Sequence, residues 1–298
     1  MIGDAARQTT IEADDICIGP YTGQVIPRFL SRDALASIYS LPGSLLAPEN
    51  RVLDELRNRT VCIPWRDAEG RIVPVVVKAF RRPSRARSLR YRRQGSKARR
   101  AWEIARFLVE RGIGTPEPLG FLERWDDDQL TESYFLTEFQ AGAVDVRSEV
   151  QRLLDGTREV ERLKTLVRIV AREVRSLHAI GVQHKDLGFQ NILVRREADG
   201  WSNPQFIDLN RAKIRAVFSA RQRARDVKSL WLPKRLRPVF FAEYFGGCPA
   251  TIDFLLWETW YRALDKVRNA TRDWRHPSQT RSLRARGLAR PLYPSADF

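Results

Sequence analysis

Cysteine is scarce here: Cys17, Cys62 and Cys248 are the only three in 298 residues. They are far apart, odd in number and show no C-x-x-C spacing, which excludes a disulfide framework and a zinc site and points to a reducing compartment. Nowhere do about eighteen apolar residues run without a charge, so no membrane-crossing helix is expected. The opening MIGDAARQTTIEADD lacks the cationic start and apolar stretch of a secretory leader. A soluble, cytoplasmic chain is the expectation. There is no repeat of fixed period, which sets aside solenoids and propellers. Acids are outnumbered, 36 against 52 Lys and Arg, for a net charge of +16. A hydrophobic share of 43% with eight Trp excludes disorder, collagen and coiled coil. The length suits one large domain or two lobes sharing a cleft.

The positive charge is concentrated. Arg81 to Arg100 holds ten Lys or Arg and no acid, Arg211 to Arg237 ten against Asp226 alone, and Arg268 to Arg290 seven against Asp273 alone. The rest of the chain is net acidic, so the surface is polarised and suited to polyanions. Nucleic acid, an anionic membrane, and a phosphorylated or acidic carbohydrate all fit that description.

Along the chain, residues 1 to 44 show no strong period, though Ser31 can cap a short helix through Ile38 before Pro42-Gly43. Two β-rich runs, Thr60 to Trp65 and Ile72 to Phe80, flank a polar loop with Gly70 and read as a hairpin. Lys97 to Arg111 carries Ala98, Ala101, Trp102, Ala105, Leu108 and Val109 at helical spacing and stops at Gly112. Pro118 to Trp125 and Ser133 to Gln140 form a second strand pair across Asp126-Asp127-Asp128. The remainder is mostly helical: Val150 to Ile180 and Phe240 to Val267, the latter expected to bury Leu255, Trp257, Trp260 and Leu264.

The decisive segment is His184-Lys185-Asp186-Leu187-Gly188-Phe189-Gln190-Asn191, between a long helix and the apolar Ile192-Leu193-Val194. Its spacing is that of H-x-D-x-x-x-x-N, the catalytic loop of protein-kinase-like phosphotransferases. Phosphoryl transfer passes through a loose transition state, so a carboxylate at 186 orients the acceptor hydroxyl and takes its proton late. The amide oxygen of Asn191 serves as a Mg²⁺ ligand. Phe206-Ile207-Asp208-Leu209-Asn210 adds an acid at the end of an apolar strand, and Asp208 is the expected main Mg²⁺ ligand.

Upstream, Val75-Val76-Val77-Lys78 ends a strand as V-A-I-K does, aiming Lys78 at the α and β phosphates of ATP. Glu103 on the following helix is the candidate to orient that lysine, although it lies off the apolar stripe. Backbone groups of Glu138 and Gln140 can pair with the adenine edge. By the matching positions of a kinase fold, Val76, Leu193 and Ile207 sandwich the ring. Each piece alone is commonplace, since strand lysines snorkel and aspartates form turns; their order and context carry the reading. His184 is read as bracing the loop, His178 as core, and His276 as uninformative. The expected fold is α+β and bilobal: an extension over 1–44, a nucleotide-binding N-lobe of antiparallel sheet plus one helix over 45–140, and a mainly α C-lobe over 141–298.

With these residues the chain resembles the bacterial lipopolysaccharide kinases of the Kdo/WaaP group, over about Val52 to Leu236. The carriers are Val77 to Phe80, Ala101-Trp102-Glu103, Gly112-Ile113-Gly114-Thr115-Pro116-Glu117-Pro118-Leu119, His184 to Val194, and Phe206 to Arg211. The resemblance implies an ATP- and Mg²⁺-dependent kinase at the inner face of the cytoplasmic membrane with a heptose or Kdo hydroxyl as acceptor. It also implies that Asp226 steadies the catalytic loop from below. Departures are plain. No G-x-G-x-x-G precedes Lys78, which leaves the Asn58-Arg59-Thr60 region as candidate phosphate clasp. No A-P-E follows Asp208, which argues against a peptide acceptor.

The basic stretches before the Glu103 helix and after Asp208 favour an anionic glycolipid acceptor, with peripheral contact to the inner membrane surface left open and nucleic acid disfavoured. Three rivals stand beside this reading. An aminoglycoside or choline-type phosphotransferase would want an acidic acceptor pocket. The others are a basic atypical protein kinase acting with RNA, and a pseudokinase scaffold binding membrane or nucleic acid.

Overall fold

The computed structural model describes residues 12–55, 58–155 and 159–275, so His276 and the end of the basic C-terminal run lie outside the described residues. The described residues fall into two compact units. The first takes in the chain through Val144 together with Asn191–Arg196 and Ser202–Lys213; the second holds Asp145–Gln190, Glu197–Trp201 and the chain from Ile214 onward.

The first unit is built on an antiparallel sheet of seven strands, β1 (Asp14–Ile18), β2 (Tyr21–Val25), β3 (Arg51–Asp54), β4 (Arg59–Arg66), β5 (Ile72–Ala79), β6 (Pro118–Asp126) and β7 (Gln129–Glu138), in the order β1-β2-β6-β7-β5-β4-β3. Both hairpins expected from the sequence are present. Alternation decides the faces: Val61, Ile63 and Trp65 on β4 and Val73, Val75 and Val77 on β5 are buried, while Val76 and Lys78 lie on the other face of β5. The β4–β5 turn is fixed by Asp67, whose buried carboxylate accepts the N–H groups of Glu69 and Arg71 and pairs with Arg28 and Arg71. The β6–β7 turn places Asp127 and Asp128 at φ 43 and 63, a left-handed conformation that aspartate tolerates. Residues expected to be an extension supply β1 and β2, so they belong to the sheet itself.

Among the described residues, four α-helices complete this unit: α1 (Arg32–Tyr39), α2 (Leu41–Leu46), α3 (Arg85–Gln94) and α4 (Lys97–Val109). Helix α4 buries Ala98, Ala101, Trp102, Ile104, Ala105 and Leu108 against β6 and β7. Helix α3 was not expected. It is pinned by two buried side chains, Ser88 and Tyr91, the former bonded to Gln129 and the Leu130 N–H.

The second unit is mainly α: α5 (Val146–Asp155), α6 (Val160–Ala179), α7 (Ala220–Val227), α8 (Arg237–Tyr244) and α9 (Ile252–Arg275). Where the sequence suggested single long helices there are two in each case. The α8–α9 break follows from Gly246 and Gly247, both at positive φ (65 and 83), a left-handed exit that ends α8. Helix α6 buries Leu163, Leu166, Val167, Val170, Ala171, Val174, Leu177 and His178, the i, i+3, i+4, i+7 stripe of an internal helix.

Helix α9 corrects the expected burial. Its inward face is Phe254, Glu258 and Asp265, whereas Leu255 and Trp260 are exposed and Trp257 and Leu264 are half-buried. The cause is an ionic seam. Glu258 is held by Arg237 and Arg262, and Asp265 by Lys228, so the acids are the residues turned to the protein.

Candidate active site

Lys78 enters the site because β5 is a middle strand, paired through Val77↔Leu136 and Lys78↔Phe135 to β7 and through Thr60↔Lys78 to β4. Its half-buried ammonium donates to Asp208 Oδ1 at 2.7 Å. Two of the sequence-predicted residues are thereby brought together in one unit.

Asp208 is positioned by its own strand and by the segment after α4. Strand Gln205–Phe206 pairs with strand Ile192–Glu197 through Ile192↔Phe206 and Leu193↔Gln205, and the Ile207 N–H donates to the Asn191 carbonyl at 3.0 Å. From the other side, Gly114 O accepts from Phe206 N (2.8 Å) and Thr115 Oγ1 donates to Phe206 O (2.8 Å). Gly114 is required by close approach, since a Cβ there would lie 2.2 Å from the Pro204 carbonyl oxygen. Asp208 itself sits at φ 60, ψ 44, a left-handed conformation that costs a non-glycine residue energy and is held by these neighbours. Asn210, buried, donates to the same Oδ1.

Glu103 does not join this pair. It is exposed and accepts from Arg99 Nε at 2.8 Å, one turn back on α4. The buried stripe of α4 turns Glu103 outward, and the lysine takes Asp208 as its partner. The sequence reading also missed Lys97. Its half-buried ammonium lies 5.9 Å from the centre of the Phe80 ring, the ring over which Lys78 sits at 5.7 Å. Burial, then the charges of Arg211, Arg87 and Arg100, push the Lys97 pKa down against the pull of Asp208. The signal in the sequence was a helix that opens on Lys97, Arg99 and Arg100 without an acid in its first turn, the reverse of what the helix dipole favours.

Val76 and Leu193 are half-buried between buried neighbours, as period-2 strands require of residues on the less covered face, and Ile207, just past strand Gln205–Phe206, is half-buried too. At the expected adenine edge, Glu138 N donates to Glu117 O (2.9 Å) and Gln140 O accepts from Ala143 N (3.2 Å), while the Gln140 N–H has no hydrogen bond among the described residues. Burial, and then the neighbouring Glu138 carboxyl, push the Glu117 pKa up. The proposed clasp at Asn58-Arg59-Thr60 is otherwise engaged, with Arg59 donating to Leu45 O at 2.7 Å and pairing with Glu55.

Within the second unit, the loop carrying Asp186 is tied down from α7. Asp226, buried, accepts the backbone N–H of His184 at 2.6 Å and of Lys185 at 2.9 Å, the geometry of a charge-assisted anchor. Asp186 N reaches His184 Nδ1 at 3.3 Å, and Lys185 takes φ 66. His178 is fully buried, with Nδ1 at 2.6 Å from Tyr244 OH, and burial lowers its pKa, so it belongs to the core as read.

Among the described residues no cluster of three or more His, Cys, Asp or Glu could hold a metal. An all-protein cage is not what Mg²⁺ asks for: it takes one or two protein oxygens plus substrate phosphates, and the Asp208 carboxylate and Asn191 amide are oxygen donors of that kind.

A strand lysine paired with a late aspartate on an α+β scaffold, together with a braced H-x-D loop, defines a protein-kinase-like fold. The model of the lipopolysaccharide kinase (Kdo/WaaP) family matches residues 44–236, and the chain belongs to that family. It is 30% identical over 159 residues to the lipopolysaccharide core heptose(I) kinase WaaP of Pseudomonas aeruginosa, a match spanning 50% of this chain and 59% of that protein. The match therefore covers less than two thirds of that relative. It is 24% identical to the Escherichia coli K12 protein of the same name, across 67% of this chain and 74% of that one. A solved structure of WaaP in complex with acyl carrier protein superposes with a TM-score of 0.53 at 26% identity, covering 77% of this chain and 91% of that one.

Proposed function

We propose that the protein transfers the γ-phosphoryl group of ATP to a hydroxyl of an inner-core lipopolysaccharide sugar, a heptose or Kdo. The carrying observation is the Lys78–Asp208 contact at 2.7 Å beside a family match that begins and ends around it. The relatives named above are heptose(I) kinases, which favours a heptose hydroxyl and disfavours the aminoglycoside and choline-type rivals.

In this reading Asp186 orients the acceptor hydroxyl and accepts its proton late. Lys78 and Lys97 draw the phosphates, the second ammonium making up for the missing glycine-rich loop. Asn191 and Asp208 would hold Mg²⁺, which when bound neutralises charge on the transferred group. Val76, Leu193 and Ile207 bury the adenine, and the Glu138 carbonyl and Gln140 N–H read its edge. Asp226 keeps the Asp186 loop in shape. The proposed lobes are a nucleotide-binding part over 45–140, to whose sheet β1 and β2 belong, and a catalytic part over 141–298.

The acceptor is an anionic glycolipid, for which the cations around α3 and after Asp208 supply attraction. Its presentation on the inner face of the cytoplasmic membrane makes peripheral membrane contact part of the proposal. Incubation with labelled ATP, Mg²⁺ and one of three acceptors tests it. Label should enter extracted lipopolysaccharide core and leave an aminoglycoside and a basic test protein untouched; label in the aminoglycoside or protein alone would refute it.

A further inference from the structure

Helix α9 buries Phe254 but otherwise turns acids toward the protein and leaves much of its apolar surface outside. Its protein-facing side carries Glu258 and Asp265, and its outermost side carries Ile252, Leu256, Trp260 and Val267, which are 77%, 66%, 60% and 60% exposed. These residues, with Ala263, recur at three- and four-residue steps, so they form one straight stripe of roughly 22 Å along the helix. A single exposed leucine needs no explanation, but a continuous apolar ridge with a tryptophan at its middle does. The borders of the ridge are cationic. Lys266 and Arg268 stand exposed at its C-terminal end, and Arg221 and Arg225 of α7 lie over Trp257 and Tyr261 along its flank. The next stretch of sequence, through Arg290, adds Arg after Arg against Asp273 alone. At the other end Asp253 is the one acid of the first turn.

We infer that this stripe seats the chain on an anionic phospholipid surface, with α9 lying flat and its apolar ridge in the headgroup–acyl boundary. The shape fits a plane: the ridge is convex and borne by one helix. The chemistry fits an interface: tryptophan and aliphatic side chains enter the acyl edge while lysine and arginine stay at the phosphates. A second copy of the chain would bring the same cationic flank against its own like, which opposes self-pairing. Among the described residues no helix is long and apolar enough to cross a membrane, so attachment from the side is what this helix offers. The inference deepens the proposed contact of the kinase with the membrane that presents its acceptor, and it requires neither ATP nor acceptor.

Co-sedimentation of the full chain with vesicles tests it, using phosphatidylcholine alone and phosphatidylcholine mixed with phosphatidylglycerol, without nucleotide or lipopolysaccharide. The wild type should partition onto the phosphatidylglycerol vesicles and stay in solution with the neutral ones. L256Q/W260Q should bind at least about tenfold more weakly, since two large apolar side chains no longer leave water. Both positions are exposed, so its melting temperature and ATP affinity should match the wild type; if that variant misfolds, I252Q/V267Q takes its place. Three outcomes overturn the inference: no wild-type binding to anionic vesicles, equal binding by the variants, or a stripe that proves instead to hold a dimer or an acidic carrier protein in light scattering and competition. None of these touches phosphotransfer, and a failure of phosphotransfer leaves the vesicle result standing.

Discussion

The ammonium of Lys78 donates to Asp208 across 2.7 Å, joining residues 130 positions apart in sequence. Each is an ionic partner of the other, and the proposed reading gives both a role at the phosphates. Lys78→Ala should lower kcat/KM by about 10²–10³-fold, the scale of losing one electrostatic clamp on the developing charge. Asp208→Asn should remove divalent-metal dependence along with turnover. Steady-state kinetics with a Mg²⁺ titration checks both, and a metal response unchanged in Asp208→Asn would count against its role.

Lys97 shares the Phe80 ring with Lys78. Lys97→Gln should raise the Kd for ATP and ADP by about tenfold, the scale of one charge-assisted hydrogen bond, while leaving adenosine binding as it was. Calorimetry with the three ligands separates a phosphate contact from a general loss of structure, which would weaken all of them.

Gly114 gives way to nothing larger, because the Pro204 carbonyl stands 2.2 Å from where a Cβ would sit. Gly114→Ala should destabilise the protein by about 1–3 kcal/mol, as overpacking against backbone does. It should also displace Asp208 through the Phe206 hydrogen bonds. A denaturant melt and the Mg²⁺ dependence of turnover report the two effects; a neutral melt would show that the loop yields freely.

Asp67 sets an acid limit. Burial works to raise its pKa, but the Arg71 N–H and the guanidinium groups of Arg71 and Arg28 outweigh it and hold the carboxyl at about 2, against 3.8 ordinarily. A folded-state value below the unfolded one contributes stability that is complete above about pH 4 and is lost as pH falls toward 2. Asp67→Asn should therefore lower the melting temperature at neutral pH and narrow its gap from the wild type as the solution is acidified. A gap of constant size would contradict the ion pairing.

How far the sequence reached depends on the kind of force involved. Hairpins with alternating valines, the α4 stripe, and the H-x-D-x-x-x-x-N loop were legible because they are local patterns with fixed periods. Lys78, Asp208 and Asp226 were legible because residue type, order and family resemblance coincide there. Helix α3 was not, since eight of its ten side chains face away from the core and leave no apolar period to read. The burial of α9 was misjudged because apolar spacing marks a helix without saying which side meets the protein; Arg237, Arg262 and Lys228 decided that by pairing with Glu258 and Asp265. The assignment of Glu103 to Lys78 failed for a related reason. Spacing in a motif does not show that Arg99, one turn away on the same helix, captures the carboxylate.

The central claim is phosphoryl transfer to a core sugar assisted by Asp186, and turnover measured together with ATP affinity in Asp186→Ala tests it most directly. With extracted lipopolysaccharide core as acceptor, the account predicts that turnover falls by about 10²–10⁴-fold while ATP binding is retained, as for a group that acts mainly in the transition state. Phosphate incorporation by Asp186→Ala equal to that of the wild type, or none by either protein, would contradict it.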